Sequence, residues 1–173
     1  MNAMVTPSYV RTMAAYNAEM NRRIFAAASR LPDAERRKDR GVFWASLHGT
    51  LSHLMWGDRV WMSRFDGWPK CEVPQKQSAA MVENFDDLTR ERIEADARIS
   101  QWAARVNGDW LAQDLVWFSH SANKELRMPR ALCVAHFFNH QTHHRGHAHA
   151  MLTACGEQTG DTDLFLVVPG GVA

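Results

Sequence analysis

The residues best suited to chemistry are histidines, and they are concentrated near the C-terminal end of the chain. Nine occur in 173 residues, and six of these fall within fourteen residues. These six are His136, His140, His143, His144, His147 and His149. Residues four apart on a helix lie on one face, with their Cβ atoms about 5–6 Å apart. His136, His140 and His144 are therefore predicted to form a ladder, and a His-x-x-x-His pair can bind one metal ion.

The histidine ladder also occupies positions where core residues are expected. Leu132 and Ala135 precede it and Met151 follows it, which predicts that the imidazoles face the protein interior. An unpaired buried polar group costs about 2–7 kcal/mol, so each ring would need a partner. A metal ion would supply one. A solvated polar face and a hydrogen-bonded histidine cluster remain open as alternatives.

A third metal ligand must come from another helix, and His53 is the best candidate. Its helical neighbours three and four residues away include two glycines and a threonine, which would leave room for an ion and a substrate. His48 is the competing histidine, but it lies about 140° around an ideal helix from His53.

The predicted ligand set favours some kinds of metal site over others. The segment from His140 to His144 lacks the glutamate of a His-Glu-x-x-His metallopeptidase, which argues against peptidase activity. Three protein ligands leave a coordination position open, as in catalytic zinc sites, whereas structural zinc sites usually have four. Imidazole binds zinc, nickel and iron alike, so the identity of the divalent metal ion stays open.

The elements that must position these histidines are four segments with helical periodicity. We predict helices over about residues 7–31, 42–66, 81–106 and 129–155. Thr6 and Pro7 are typical of a helix start, and Gly156 of a helix end. The irregular segment 109–128 is predicted to include a small β-hairpin. The whole chain, 1–173, is therefore predicted to be one all-α domain, a four-helix bundle.

Composition narrows the class of protein and its compartment. A net charge of +1 gives no basic excess for nucleic-acid binding. The N-terminus does not resemble a signal peptide, and the apolar run from Leu164 to Val168 is too short to cross a bilayer. The three cysteines have no C-x-x-C spacing, which predicts free thiols. We expect a cytoplasmic protein whose seven tryptophans form a bulky core, with an aromatic partner surface as the alternative.

Two runs of sequence carry a resemblance to the DinB/YfiT-type family of metalloproteins. They are SLHGTLSHLMWGDRVW at 46–61 and HFFNHQTHHRG at 136–146, and the resemblance covers nearly the whole chain. It implies a four-helix bundle, frequently dimeric, with one metal ion bound by three histidines. Transferred by motif, these ligands would be His53, His140 and His144. Relatives include thiol-dependent transferases and a maleylpyruvate isomerase that use thiols such as bacillithiol or mycothiol.

This chain departs from the family pattern at one position. Members usually have glutamine after the Arg-Gly pair, whereas this chain has His147. The extra imidazole could approach the metal, replace a hydrogen bond to one of its ligands, or do neither. Whether His136 or His143 assists the site is equally open from the sequence.

The leading functional hypothesis is a metal-dependent enzyme, a thiol S-transferase or related isomerase. Its open three-histidine site would activate a thiol or water toward a small-molecule substrate, such as a low-molecular-weight thiol. Asp58 and Arg145 are candidates for supporting the ligands or contacting substrate, with surface charges or an interhelical ion pair as the alternative. A non-catalytic metal-binding or stress-associated protein is the second hypothesis. The third is a metal-free bundle that binds a ligand or partner protein. The resemblance also implies a homodimer.

Overall fold

Four long helices dominate the computed structural model, which describes residues 4–119, 122–168 and 170. In chain order the helices are α1 (Pro7–Ser29), α2 (Asp33–Arg37), α3 (Leu47–Phe65), a 3-10 helix (Gln75–Ala80), α4 (Phe85–Arg105), α5 (Gly108–Leu111), α6 (Arg130–Ala154) and α7 (Leu164–Val167). The prediction of a mostly helical protein is confirmed. The last three residues, part of the predicted tail, lie outside the described range.

The helix that carries His53 begins five residues later than predicted. We predicted a start at Val42, but α3 starts at Leu47. Ala45 has a left-handed backbone, with φ of 61°, which a continuing helix cannot accommodate. Ser46 then acts as the N-cap, because its hydroxyl accepts a hydrogen bond from the Gly49 backbone N–H at 3.0 Å. Local capping therefore overrides the apolar pattern of residues 42–46.

The other helix boundaries differ from the predicted ones by smaller amounts. The first helix ends at Ser29 rather than at residue 31, and α6 covers 130–154 instead of 129–155. The third predicted helix, 81–106, is shorter, because the Asn84 side chain caps α4 by accepting from two backbone N–H groups. Segments predicted as connector, loop and coil contain the short helices at 33–37, 75–80 and 164–167.

The predicted β-hairpin is present and leads directly into α6. Strands β1 (Asp114–Ser119) and β2 (Lys124–Pro129) are antiparallel, with Trp117 opposite Leu126. The tip of the turn, residues 120–121, lies outside the described range. Arg130 donates its backbone N–H to the Gln113 carbonyl at 2.9 Å, which ties the first turn of α6 to the base of the hairpin.

The site is determined mainly by how the long helices pack. Helix α1 packs against α4 and α6, helix α3 packs against the same two helices, and the 3-10 helix packs against α3. Stacking of Phe65 on Trp102, with ring centres 5.4 Å apart, helps to fill the interior. All seven tryptophans are described, and none of them is exposed. This supports the core explanation for their number. None of the helices in the described part of the chain is long and apolar enough to span a membrane.

Candidate metal centre

Three histidines from α3 and α6 converge at the contact between these helices. His53, His140 and His144 each offer a ring nitrogen, and these nitrogens lie within 4.8 Å of one another. The Nε2 atoms of His53 and His140 are 3.2 Å apart. His53 is 1% exposed and His144 is 7% exposed, while His140 is half-buried. We call these three residues the inner triad.

The imidazole of His53 is oriented by a partner outside the long helices. Its Nδ1 atom lies 2.8 Å from the Ser78 hydroxyl, which belongs to the 3-10 helix. Ser78 is held in turn, because its backbone carbonyl accepts from the Ser52 hydroxyl at 2.8 Å. With Nδ1 engaged, Nε2 of His53 is directed to the other members of the inner triad. Metal-binding histidines usually have such a partner on the second ring nitrogen.

Trp44 covers one face of the His53 ring. The two rings stack with centres 3.9 Å apart and an angle of 23° between their planes. Gly49 makes this approach possible, because a Cβ atom at that position would overlap the backbone carbonyl oxygen of Trp44. An indole in this position shields the imidazole from water and adds to the burial of His53.

Gly57 makes space for His140 in the same way. A Cβ atom at Gly57 would lie 2.9 Å from Cε1 of the His140 ring, which is closer than van der Waals contact allows. The small neighbours that the sequence placed around His53 thus serve two purposes. Gly49 admits Trp44, and Gly57 admits the second imidazole of the inner triad.

The surroundings of the inner triad favour neutral imidazoles. Burial, with smaller contributions from the neighbouring His144 and His140 rings, lowers the pKa of His53 to about 3. Burial likewise lowers the pKa of His144 to about 3, with contributions from nearby histidines. Burial also lowers the pKa of His140, although the Asp58 carboxylate partly opposes this shift. Neutral imidazole is the protonation state that binds a metal ion.

The donor set fits a divalent transition-metal ion. The three imidazoles are neutral, come from two helices, and present nitrogens close enough to share one ion. In addition, Nδ1 of His144 is buried and has no hydrogen-bond partner among the described residues. A buried polar atom without a partner is uncommon in folded proteins and points to a bound group.

Replacing Ser78 with alanine is expected to weaken metal binding about 10–100-fold, the usual effect of losing a hydrogen bond to a ligand histidine. The substitution would remove the hydrogen-bond partner that fixes Nδ1 of the His53 ring. Zinc affinity measured against a competing chelator checks this expectation. Ser63→Ala is a matched control, because the Ser63 hydroxyl donates only to a carbonyl of its own helix. Equal affinities in the two variants would contradict the role of Ser78.

Replacing Gly57 with alanine is expected to lower zinc affinity without unfolding the metal-free protein. The new methyl group would displace the His140 ring. In the metal-free protein the ring can rotate away from it, because no bound ion fixes its position. Alanine is also favoured over glycine within a helix by about 0.8–1 kcal/mol. Gly146→Ala is the control, because a Cβ atom there meets nothing within 4 Å. Unchanged zinc affinity in Gly57→Ala would show that His140 is not held where the structure has it.

The metal-free protein is expected to lose stability as the pH falls from about 6.5 toward 3. In this range the unfolded histidines, with a pKa of 6.5, bind protons that folded His53 and His144 do not. The unfolded state therefore binds more protons, so the free energy of unfolding rises with pH. The contribution of these two histidines is fully present above a pH of about 6.5. Urea midpoints of chelator-treated protein at pH 7.5 and 5.0 test this. The difference between the two midpoints should be smaller in His53→Gln than in wild type. Equal wild-type midpoints at the two pH values would contradict the expected loss of stability.

The remaining histidines are divided between several environments. His48 is buried and its Nε2 atom lies 2.8 Å from the Val82 carbonyl oxygen, away from the inner triad. His136 was predicted to share the inward ladder, but it is exposed and lies against Trp61, with ring centres 5.1 Å apart. His143 and His147 form a second group with His144.

Asp58 belongs to a buried polar network rather than to the inner triad. It is 1% exposed, and its two carboxylate oxygens accept from Gln141 at 2.7 Å and from Arg92 at 2.5 Å. Arg92 also pairs with Asp96, which accepts from Asn21 at 3.0 Å. The network joins all four long helices. Asp58 thus forms an ion pair between α3 and α4.

Sequence reasoning did not identify the partners in this network. Arg92, Gln141 and Asn21 sit singly among residues of ordinary helical pattern, so no local spacing marks them. A polar residue at a position of the predicted apolar stripe was the one available signal. Gln141 directly follows His140 in sequence, so the network begins one residue from the inner triad.

Arg145 is buried beside α1. Its guanidinium lies 5.5 Å from the centre of the Tyr16 ring, and Nη2 donates to the Thr142 hydroxyl at 3.3 Å. Nη1 is buried without a partner in the described part of the chain. Burial lowers the pKa of Arg145 to about 10, so the group stays a cation at neutral pH.

The fold and the site together define the class of protein: a mostly helical protein with a candidate three-histidine centre for a divalent metal ion. The sequence model of the DinB family matches residues 1–168, and the chain belongs to the DinB family. It is similar to the protein DinB of Bacillus subtilis (strain 168), with 23% identity over 158 residues, which cover 87% of this chain and 88% of that protein. No significant match was found among solved structures.

Proposed function

We propose that this protein is a metal-dependent enzyme of thiol S-transferase or related isomerase type, with His53, His140 and His144 as the metal ligands. The observation that carries the proposal is the convergence of three neutral ring nitrogens within 4.8 Å, one of them oriented by Ser78. Three protein ligands leave a position for a substrate atom. Zinc, nickel and iron all suit imidazole ligands. A bound divalent ion would supply Lewis acidity that lowers the pKa of a thiol or water.

The residues around the inner triad have separate tasks in this proposal. Ser78 fixes the ring of His53, and Trp44 keeps water from one face of it. Gln141 and Asp58 hold the α3–α6 contact from which the ligands project. Arg145 is proposed to meet an anionic part of the substrate through Nη1, which has no partner among the residues that the structure describes.

The wider setting of the proposal follows the family resemblance. The long helices are proposed to form a four-helix bundle in a single domain, working as a homodimer in the cytoplasm. The substrate would be a small molecule, with a low-molecular-weight thiol as the nucleophile. Nucleic acid is not expected as a partner, because the chain has no basic excess.

A non-catalytic role for the metal is the second candidate, and one observation favours it. The candidate ligands belong to two different helices, so a bound ion would join these helices whether or not it took part in a reaction. In this alternative the ion mainly joins α3 to α6, and the protein is a metal-binding or stress-associated protein. The metal-free ligand-binding hypothesis has less support, because none of the seven tryptophans is exposed.

An activity assay separates these candidates. Untagged, zinc-loaded protein is incubated with bacillithiol, mycothiol or cysteine and an electrophile such as monochlorobimane, and conjugation is followed by fluorescence. The proposal expects turnover that stops after chelation and in His53→Gln but persists in His149→Gln. Stoichiometric zinc that raises the melting temperature without any turnover would favour the non-catalytic role.

A further inference from the structure

A second group of histidines lies next to the inner triad and extends from it toward the surface. His143, His144 and His147 each offer a ring nitrogen, and these nitrogens also lie within 4.8 Å of one another. The ring centres of His143 and His147, which are four residues apart on α6, are separated by 4.5 Å. His143 is exposed and His147 is half-buried. We call these three residues the outer group, and His144 belongs to both sets.

The outer group contains buried nitrogens that lack partners. Nδ1 of His144 and Nδ1 of His147 are both buried and make no hydrogen bond to any residue that the structure describes. His144 is itself 7% exposed. By contrast, His149 on the same helix has its Nδ1 atom 2.5 Å from the Thr159 hydroxyl. The inner triad does not use His147, so its buried, unpartnered nitrogen points to a further ligand beside His144.

We propose that His143, His144 and His147 form a second, outer position for a divalent transition-metal ion, adjoining the inner triad through His144. A His-x-x-x-His pair on one helix face can hold one ion, and His143 and His147 have this spacing. His144 completes the outer set. To hold both ions at once, its ring would release its N–H proton to solvent and bind one ion through each nitrogen. This position goes beyond the proposed function, because it does not require the inner ion to be catalytic.

The outer ion binds more weakly than the inner one. One of its ligands is exposed, so ordering that side chain costs conformational entropy on binding. Two divalent cations a few ångströms apart also repel each other, which lowers the affinity of the second ion to bind. The sharing of His144 couples the two positions directly.

Zinc titration of the untagged, chelator-treated full chain tests the outer position. The free zinc concentration is set with a chromophoric chelator, and bound zinc is counted by elemental analysis. Wild type is expected to bind two ions per chain, the second at least about tenfold more weakly because of the repulsion. His143→Gln and His147→Gln lose the second ion and keep the first. His149→Gln is the matched control and keeps both.

This experiment tests the inner and the outer metal position independently of each other. His53→Gln is expected to lose the tight ion and keep the weak one, because His53 is not in the outer group. If His147→Gln and His143→Gln bind as many ions as wild type with the same affinities, the outer position is wrong. If His53→Gln keeps the tight ion, the inner ligand set is wrong instead. Circular dichroism of each variant verifies that it is folded.

Discussion

Substituting His53 with glutamine is expected to remove tight metal binding from the protein. Losing a hydrogen bond to a ligand histidine already costs about 10–100-fold in affinity, so loss of a ligand should cost more than a hundredfold. His53 is the one member of the inner triad on α3, so without it the remaining nitrogens all come from α6. Elemental analysis of protein purified without a tag measures the ion directly. His140→Gln should behave in the same way.

The matched control for this result is His136→Gln. His136 lies on the same helix as His140 and four residues before it, but it is exposed and does not belong to the inner triad. Metal content should therefore be unchanged in His136→Gln. A wild type that stays folded but takes up no zinc, nickel or iron would contradict the metal centre altogether. Loss of the ion in His136→Gln but not in His53→Gln would place the site elsewhere on α6.

Substituting Arg92 with leucine is expected to destabilise the fold by about 3–5 kcal/mol, the usual effect of breaking a buried ion pair from one side. Arg92 is 4% exposed and pairs with both Asp58 and Asp96. Its loss would remove the ion-pair partner of the buried Asp58 and the half-buried Asp96. Since small domains are stable by about 5–15 kcal/mol, this is a large fraction of the total. The free energy of unfolding, measured with urea on metal-free protein, gives the value.

Arg90→Leu provides the control for this prediction. Arg90 lies two residues away on α4, but its side chain is 69% exposed and pairs with Asp87 at the surface. Exposed pairs contribute little, because water screens the charges and the side chains lose entropy on pairing. Arg90→Leu should therefore cost a small fraction of the Arg92→Leu loss. Similar losses in the two variants would show that the buried network does not stabilise the helices.

The buried network and the candidate metal centre are both formed by residues of α3 and α6. Helix α3 carries both His53 and Asp58, and α6 carries both His140 and Gln141. The hydrogen bond from Gln141 to Asp58 spans the same helix contact as the inner triad. Variants of the network should therefore be compared for metal content as well as stability, since a shift of α3 against α6 would separate the ligands.

Local sequence determined the helices and the residues available to the site. Helical periodicity and capping residues such as Thr6 placed the four long helices, because both depend on neighbours within about one turn. The four-residue spacing of His140 and His144 put two imidazoles on one face for the same reason. The small residues around His53 pointed to space beside it. Family membership followed from the two histidine-containing runs.

The limits of local reasoning are visible in the histidine ladder. Residues four apart advance by about 400° around an ideal helix, so each step drifts about 40° from the previous one. Over the eight residues from His136 to His144 the drift is about 80°. This rotation is enough to leave His136 exposed to solvent while His144 is buried. The periodicity identified the ladder, but it did not say where the interior begins.

Tertiary structure alone decided which partners the site residues have. Ser78 reaches His53 from twenty-five positions along the chain, and Arg92 reaches Asp58 across thirty-four. Such pairs depend on the rotation and offset of packed helices and on the path of a loop. Neither is encoded within one turn of sequence, since many helix pairs with the same periodicity could pack in other registers. The candidate ligands could be predicted from spacing, whereas their orientation and electrostatic support required the packed fold.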